Sequence, residues 1–506
     1  MKYVKIILIF VCSMFELSGF AQQPNIVFLM TDDQRWDNFG CYGRPEFKTL
    51  NIDRLAEEGV VLDRAYYAIA ICMPSRATIM SGRYDSNHNV DFSYPNNLTF
   101  SKADFKDTYP AQLKQSGYRT GFIGKFGFPV TDDTYRATGG VSGYDMQKNL
   151  GEYFDYFAGN GVHFRGAFKM WPEDERLKEI YHKDRPLNER TLKTGDAMIH
   201  FLDTQPKDEP FCLSVSFYAV KNDKDIDMYP PHVKEFENQD FSVPENWVEG
   251  KNTKLPKLLD NWRGVPLHMQ RTSTPKLYQK LVRRFATQGY TVDQQVGRLV
   301  EKLKEMGILN NTIIIYTSDN GRYHGSHGLY DKSILYDESV KQPLIVFDGR
   351  ITKEKQGYRE NAFVSSVDIA PTILSFAGIE APEKMQGNSF KGILDHTQNR
   401  DLWQKSVYSE SLFITNLHSK RKYPDFEIAN QNIIKANKSY RSRGMRDDKY
   451  KYIIYYEHDP VIEELYEVDK DPYEMNNLAN DKKYVEVLAK LRIETEKKYQ
   501  SIKKEE

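Results

Sequence analysis

Asn25-Ile-Val-Phe-Leu-Met30 is an unbroken apolar run that ends abruptly in Thr31-Asp32-Asp33, and the arrangement recurs at Thr312-Ile-Ile-Ile-Tyr316 ahead of Thr317-Ser318-Asp319-Asn320-Gly321. Continuous apolar runs this short read as strands buried on both faces. Between them, Tyr290 to Met306 carries helical periodicity, with Val292, Val296, Leu299, Val300 and Leu303 on one face. Strands alternating with helices imply a parallel α/β sheet. Ligands of such sheets gather beyond the carboxyl ends of the strands, which is where Asp32, Asp33, Asp319 and Asn320 fall. Four oxygen donors without a His or Cys cluster beside them favour a hard cation, Ca2+ or Mg2+, over zinc. Either pair alone reads more simply as turn residues or helix caps. Recurrence after two similar strands is what favours the cation.

The 506-residue composition, 40% apolar and 28% charged, is that of a water-soluble globular protein and excludes disorder and a collagenous repeat. With 70 basic and 71 acidic side chains the formal charge is −1, so no global field draws nucleic acid or an anionic membrane. Any anion must be recognised by a few placed cations. Lys2 and Lys5, the apolar run from Ile6 to Phe15, and Gly19-Phe20-Ala21 follow the order of a secretory signal over residues 1–21, too short to span a bilayer. The expectation is cleavage near Ala21, no membrane span and a periplasmic or secreted product. Cys41, Cys72 and Cys212 then remain, an odd and scattered set that is no disulfide framework. Cys212, inside Phe211-Cys-Leu-Ser-Val-Ser-Phe217, reads as a small buried hydrophobe, with a Cys41–Cys212 bridge as the alternative.

The densest chemistry lies at Cys72-Met-Pro-Ser-Arg-Ala-Thr-Ile-Met-Ser-Gly82-Arg83. Pro74 suits the first turn of a helix, Gly82 suits its end, and Arg76 shares a helical face with Cys72. A cysteine at a helix N-terminus beside a permanent cation is set up for anionic chemistry. Cys72-x-Pro-Ser-Arg76 followed by Ser81-Gly82-Arg83 resembles the signature of the type I sulfatases, in the alkaline phosphatase superfamily. Gly117 to Lys125, Asn311 to Gly321, Gly325 to Lys332, Val364 to Ile379 and Glu464 to Leu478 resemble further segments of that family. The likeness runs from about Pro24 to the C-terminal region.

The resemblance implies an alkaline-phosphatase-like α/β fold: a large mixed, mainly parallel sheet flanked by helices in residues 22–400, and a smaller α+β domain with an antiparallel sheet in 401–506. In that second part, Ser406-Val-Tyr-Ser-Glu-Ser and Tyr440 to Tyr456 suggest antiparallel strands with a turn at Asp447-Asp448, and Lys482 to Lys498 reads as a charged amphipathic helix. The resemblance further implies that a formylglycine-generating or other sulfatase-maturating enzyme oxidises Cys72 to formylglycine. Asp32, Asp33, Asp319, Asn320 and residue 72 would hold a divalent cation, calcium before magnesium. Arg76, Lys125 and Lys332 would neutralise charge on the nucleophile and the transferring group. One hydroxyl of the hydrated aldehyde attacks sulfur and expels the alcohol; the second then ejects sulfate and restores the aldehyde. Each lysine taken alone is a solvated charge, and its motif position supplies the role.

Two positions depart from the family's pattern. Lys125-Phe126-Gly127 stands where Lys-Trp-His is common, and Phe217-Tyr-Ala-Val-Lys221 where Phe-Tyr-Ala-Pro-His is usual. Lys221 thus becomes a candidate for binding the sulfate, or for protonating the leaving oxygen if burial lowers its proton affinity. His327 is the best remaining imidazole for catalysis and substrate binding, ahead of His324 and His88. Arg441, Arg443 and Arg446 read as a solvated hairpin, or as contacts to an anionic polymer. The expected activity is hydrolysis of sulfate monoesters on a carbohydrate, algal or animal. A phosphonate or phosphate ester hydrolase and a non-catalytic sulfated-glycan binder are the alternatives.

Overall fold

The described residues form thirteen strands: β1 (Asn25–Thr31), β2 (Val60–Ala65), β3 (Arg119–Lys125), β4 (Tyr156–Asn160), β5 (Lys169–Trp171), β6 (Phe211–Ser216), β7 (Thr312–Ser318), β8 (Leu344–Asp348), β9 (Tyr358–Val364), β10 (Ser406–Ser411), β11 (Ser442–Asp447), β12 (Tyr450–Tyr455) and β13 (Ile462–Glu467). The structure, a computed structural model, describes residues 23–88, 90, 99–131, 145–160, 168–182, 186–221, 227–352, 355–412 and 426–503. The secretory signal read at residues 1–21 lies outside them.

Nine strands make one sheet in the order β5-β4-β3-β6-β1-β7-β8-β2-β9. Its centre is parallel, and β8 runs antiparallel to both β7 and β2. β1 pairs with β7 in the register Asn25↔Thr312 to Thr31↔Ser318, so the two acidic pairs leave the sheet side by side. Alternate side chains feed opposite layers. Ile26, Phe28, Met30, Ile313 and Ile315 pack with Met73, Ala77 and Met80 of the helix Cys72–Ser81. Val27, Leu29, Ile314 and Tyr316 pack with Leu55, Phe201, Val292, Val296, Leu299 and Leu303. A strand buried on both faces must be apolar at every position, which is why these runs lack polar alternation.

The helix read over Tyr290 to Met306 is the second half of a longer one, Pro275–Glu305. Pro275 occupies its first turn and the Thr274 side chain accepts the Leu277 N–H, so the start is capped well before the periodic stretch. Its first half packs into a separate cluster with Phe47, Phe236 and Phe241. Val300 lies at the margin of the main layer, only partly buried.

β10–β13 form the second, antiparallel sheet. The turn between β11 and β12 closes where Asp447 Oδ1 accepts the N–H groups of Lys449 (2.8 Å) and Tyr450 (2.6 Å). The C-terminal helix runs Val485–Ile502 and lays Leu488 and Leu491 on this sheet. One apolar cluster bridges the two sheets, joining Tyr66, Tyr323 and Leu335 to Val407, Ile453 and Tyr455. Cys41 and Cys212 are free thiols, and Cys212 is a buried member of the core, as the apolar reading expects. Among the described residues no helix is long and apolar enough to cross a membrane.

Candidate active site

Asp32, Asp33 and Asp319 meet at the carboxyl edge of the large sheet because β1 and β7 are neighbours in register. Ligand-capable oxygens of all three lie within 4.8 Å of one another, fully buried. The Asp33 N–H donates to Asp319 Oδ1 (3.0 Å), and Asn320 Nδ2 donates to Asp33 Oδ1 (2.7 Å). Asp33 sits in the left-handed region at φ 66°, the bend that turns its carboxylate back towards β7.

Cations neutralise this cluster from three sides. Lys125 Nζ at the end of β3 lies 2.6 Å from Asp32 Oδ2, and Lys221 Nζ lies 3.4 Å from the same oxygen. Lys332 contacts Asp33 Oδ1 and donates to Asn320 Oδ1 at 2.9 Å. Arg76 Nε donates to Asp319 Oδ2 (2.8 Å) and its Nη1 to the Lys125 carbonyl (2.7 Å). Burial alone would raise the Asp32 and Asp33 pKa values. Lys125 and Lys221 at Asp32, and Arg322 and Lys332 at Asp33, outweigh it and hold both below the usual carboxylate range.

Cys72 opens a fully buried helix, Cys72–Ser81, which Gly82 ends in the left-handed conformation at φ 65°. Ser75 fastens the helix to the acidic edge, its Oγ donating to the Asp319 carbonyl at 2.5 Å. Burial pushes the Cys72 thiol up, but Lys125, Lys332 and Lys221 together bring it below its ordinary value. Motif residues far apart in the chain therefore share one electrostatic site.

Asp32 Oδ1 is buried and has no hydrogen-bond partner among the described residues. An orphaned carboxylate oxygen beside two further carboxylates and an amide is a donor set suited to a hard divalent cation. The residues present fit such an ion.

Two further candidates have these surroundings. Lys221 reaches the site, but its proton affinity moves the other way: burial lowers it, and Asp32, the Cys72 sulfur and Asp33 raise it well above the ordinary lysine value. His327 joins a different cluster. Its Nε2 lies 3.2 Å from both Asn246 Nδ2 and Glu338 Oε2, and its ring stacks on Tyr336 at 4.3 Å. His88 bonds Thr78 Oγ1 (2.9 Å) and accepts the Val90 N–H, a core role. The hairpin arginines are engaged: Arg441 with Glu457, Arg443 with Glu496 and the rings of Tyr456 and Tyr499, Arg446 over Tyr66.

Arg322 escaped the sequence reading. Its Nε lies 3.0 Å from Asp33 Oδ2, its Nη1 donates to the Tyr330 hydroxyl (3.0 Å), and its Nη2 reaches Asp331 (3.4 Å). Its position two residues after Asn320 was the available signal.

Residues 24–379 match the sulfatase family, and residues 325–501 match the C-terminal part of N-sulphoglucosamine sulphohydrolase. The chain is 28% identical to an N-acetylglucosamine-6-O-sulfatase of Bacteroides thetaiotaomicron, over 95% of this chain and 87% of that one. It is 29% identical to the human N-acetylglucosamine-6-sulfatase, over 78% and 68%. A solved structure of a protein in complex with its substrate D-glucosamine-2-N,6-O-disulfate superposes with a TM-score of 0.73 at 24% identity, covering 95% of this chain and 98% of that one. The phosphonate monoester hydrolase of Agrobacterium radiobacter superposes with a TM-score of 0.69 at 22% identity, over 95% and 93%, a likeness of fold.

Proposed function

The chain belongs to the sulfatase family, hydrolases of sulfuric esters, and on that premise we propose that it is an exported carbohydrate sulfatase acting on 6-O-sulfated glucosamine units of a glycan or its oligosaccharides. The observation that carries the reading is the meeting of Cys72, Arg76, Lys125 and Lys332 with the three buried carboxylates of Asp32, Asp33 and Asp319. The names of the relatives support the sugar, and the order of residues 1–21 supports export.

In this reading Cys72 is converted to formylglycine, whose hydrate supplies one hydroxyl to attack sulfur and a second to release sulfate. Asp32, Asp33, Asp319 and Asn320 would hold a divalent cation, calcium before magnesium, and such an ion would supply Lewis acidity to the site. Arg76 locks Asp319 and the Lys125 carbonyl in place, so the acidic edge and β3 keep a fixed spacing. Lys125 and Lys332, which pair with Asp32 and Asp33, would neutralise negative charge developing in the reaction, and Lys221, on the same Asp32 oxygen as Lys125, would hold a sulfate oxygen. Burial in one preorganised cluster makes each of these charges worth more than it would be in water. The division into residues 22–400 and 401–506 belongs to the same proposal.

The test is ion-chromatographic release of sulfate from N-acetylglucosamine 6-sulfate, heparan and algal oligosaccharides. The protein is co-produced with a formylglycine-generating enzyme, calcium is present, and peptide mass spectrometry checks residue 72. Sulfate released by the converted protein and not by Cys72→Ala is the expected result. Faster turnover of a phosphonate ester, or sugar binding without turnover by converted protein, overturns it.

A further inference from the structure

The site holds more positive charge than one sulfate ester consumes. Arg76, Lys125, Lys221, Arg263, Arg322 and Lys332 share four carboxylates, Asp32, Asp33, Asp319 and Asp331, through ion pairs. A bound divalent cation only adds to the surplus. One more guanidinium, that of Arg271, stands at the end of this array. Its Nη1 donates to the Tyr330 hydroxyl at 3.3 Å, the oxygen that also accepts from Arg322. Both guanidinium groups lie against the Tyr330 ring, 5.0 and 5.2 Å from its centroid.

Arg322 is committed to the acidic cluster: it pairs with two carboxylates, donates to the phenol and is buried. Arg271 differs. It is half-buried, and among the described residues it has no ion pair with a carboxylate and one hydrogen bond, to the Tyr330 hydroxyl, against five N–H donors. It is also held in place. The Tyr330 N–H donates to the Gly264 carbonyl (3.0 Å), tying the loop that carries Lys332 to the helix Gly264–Arg271. Val220, beside Lys221, packs in the same apolar cluster as Tyr330, so Arg271 stands on the wall shared with the sulfate-binding lysine. A pre-oriented fork with spare donors, next to but outside the reacting cluster, recognises a planar or tetrahedral oxyanion.

Resting on the carbohydrate sulfatase reading, we propose that Arg271, braced on Tyr330, is a specificity-determining residue that binds a second oxyanion of the substrate, so that the preferred sugar carries another sulfo or carboxylate group besides the scissile sulfate. The N-sulfo group of a glucosamine and the carboxylate of a neighbouring uronate share this chemistry.

The experiment compares kcat/KM of the converted protein on N-acetylglucosamine 6-sulfate, N-sulfoglucosamine 6-sulfate and a uronyl-N-acetylglucosamine 6-sulfate disaccharide, with 4-methylumbelliferyl sulfate as a sugar-free substrate. One doubly charged sugar is expected to exceed the singly charged one by about tenfold, mainly through KM, and the better of the two identifies the second anion. Arg271→Ala should bring that ratio close to one. Arg271→Lys, which keeps the charge and loses the fork, should retain part of it, and serves if the alanine variant is poorly folded. No preference in the unsubstituted protein, or a preference that survives in Arg271→Ala, overturns the subsite. Turnover of the aryl sulfate with none of any sugar overturns the carbohydrate reading, and the subsite with it. A preference lost in Arg271→Ala while sulfate release persists leaves both standing.

Discussion

A β-carbon at Gly127 would lie 2.4 Å from Cδ of Arg76. That arginine clamps Asp319 to the Lys125 carbonyl, so a side chain at position 127 would press on the clamp. Gly127 is at φ 105°, a conformation glycine adopts without cost and other residues resist.

Gly127→Ala is therefore expected to displace Arg76, lower stability by about 1–3 kcal/mol, and reduce kcat/KM at least about tenfold. Denaturant unfolding and steady-state kinetics measure both. A variant with unchanged stability and rate would mean that Arg76 has room to move.

Removing the charge partners of the acidic edge should cost far more than removing His327. Lys125→Met and Lys332→Met are expected to lower kcat by about 100-fold or more, the scale of deleting one group that stabilises developing charge. His327→Gln breaks the contact with Glu338 and the stack on Tyr336, so its main effect should be a lower thermal midpoint. An equal loss of kcat in all three variants would return His327 to the site.

Chelation tests the cation. Stripping divalent ions should abolish turnover, and calcium should restore it. With the ion gone, like charges 4.8 Å apart or closer lose their largest counter-charge, so the thermal midpoint should fall as well. In Asp32→Asn protein, added calcium should no longer raise the midpoint as it does in the unsubstituted chain. Titration by calorimetry reads this binding without any substrate.

Stability should be greatest near about pH 4, where the linkage of these groups changes sign. Burial raises Asp293 to about 7 and Asp227 and Asp368 to about 6, against an ordinary 3.8. Between about pH 4 and the raised values the folded chain keeps protons there that the unfolded chain has released, so the stability they contribute, full below the ordinary 3.8, is lost progressively as pH rises to 6 and 7. Glu338 shifts the other way. Burial alone would raise it, but His327 and Arg35 bring it down to about 2, so its contribution disappears as pH falls below the ordinary 4.5. Thermal unfolding between pH 3 and pH 8 should trace a maximum between these limbs, and Asp293→Asn should flatten the upper one. A midpoint that climbs steadily to pH 8 would contradict the assignment.

Strands β1 and β7, their burial on both faces, part of the antiparallel hairpin and the helix that begins at Cys72 were legible in the chain itself, because each depends on local rules. An apolar run without alternation needs two covered faces, and Gly82 ends a helix wherever it sits. The placing of Asp32, Asp33, Asp319 and Asn320 at strand ends was equally local, and adjacency followed once β1 and β7 paired in register. What only the tertiary structure decided is which side chain each charge answers to. His327 turned to Glu338 and Asn246, Lys221 took up Asp32 and gained proton affinity, Arg446 covered Tyr66, and Arg322 and Arg271 met on Tyr330. These partners are tens to hundreds of residues apart in most cases. In a buried, poorly screened interior each charge must settle on whatever opposite or polar group the packing brings within hydrogen-bond reach, and sequence spacing carries no record of that choice.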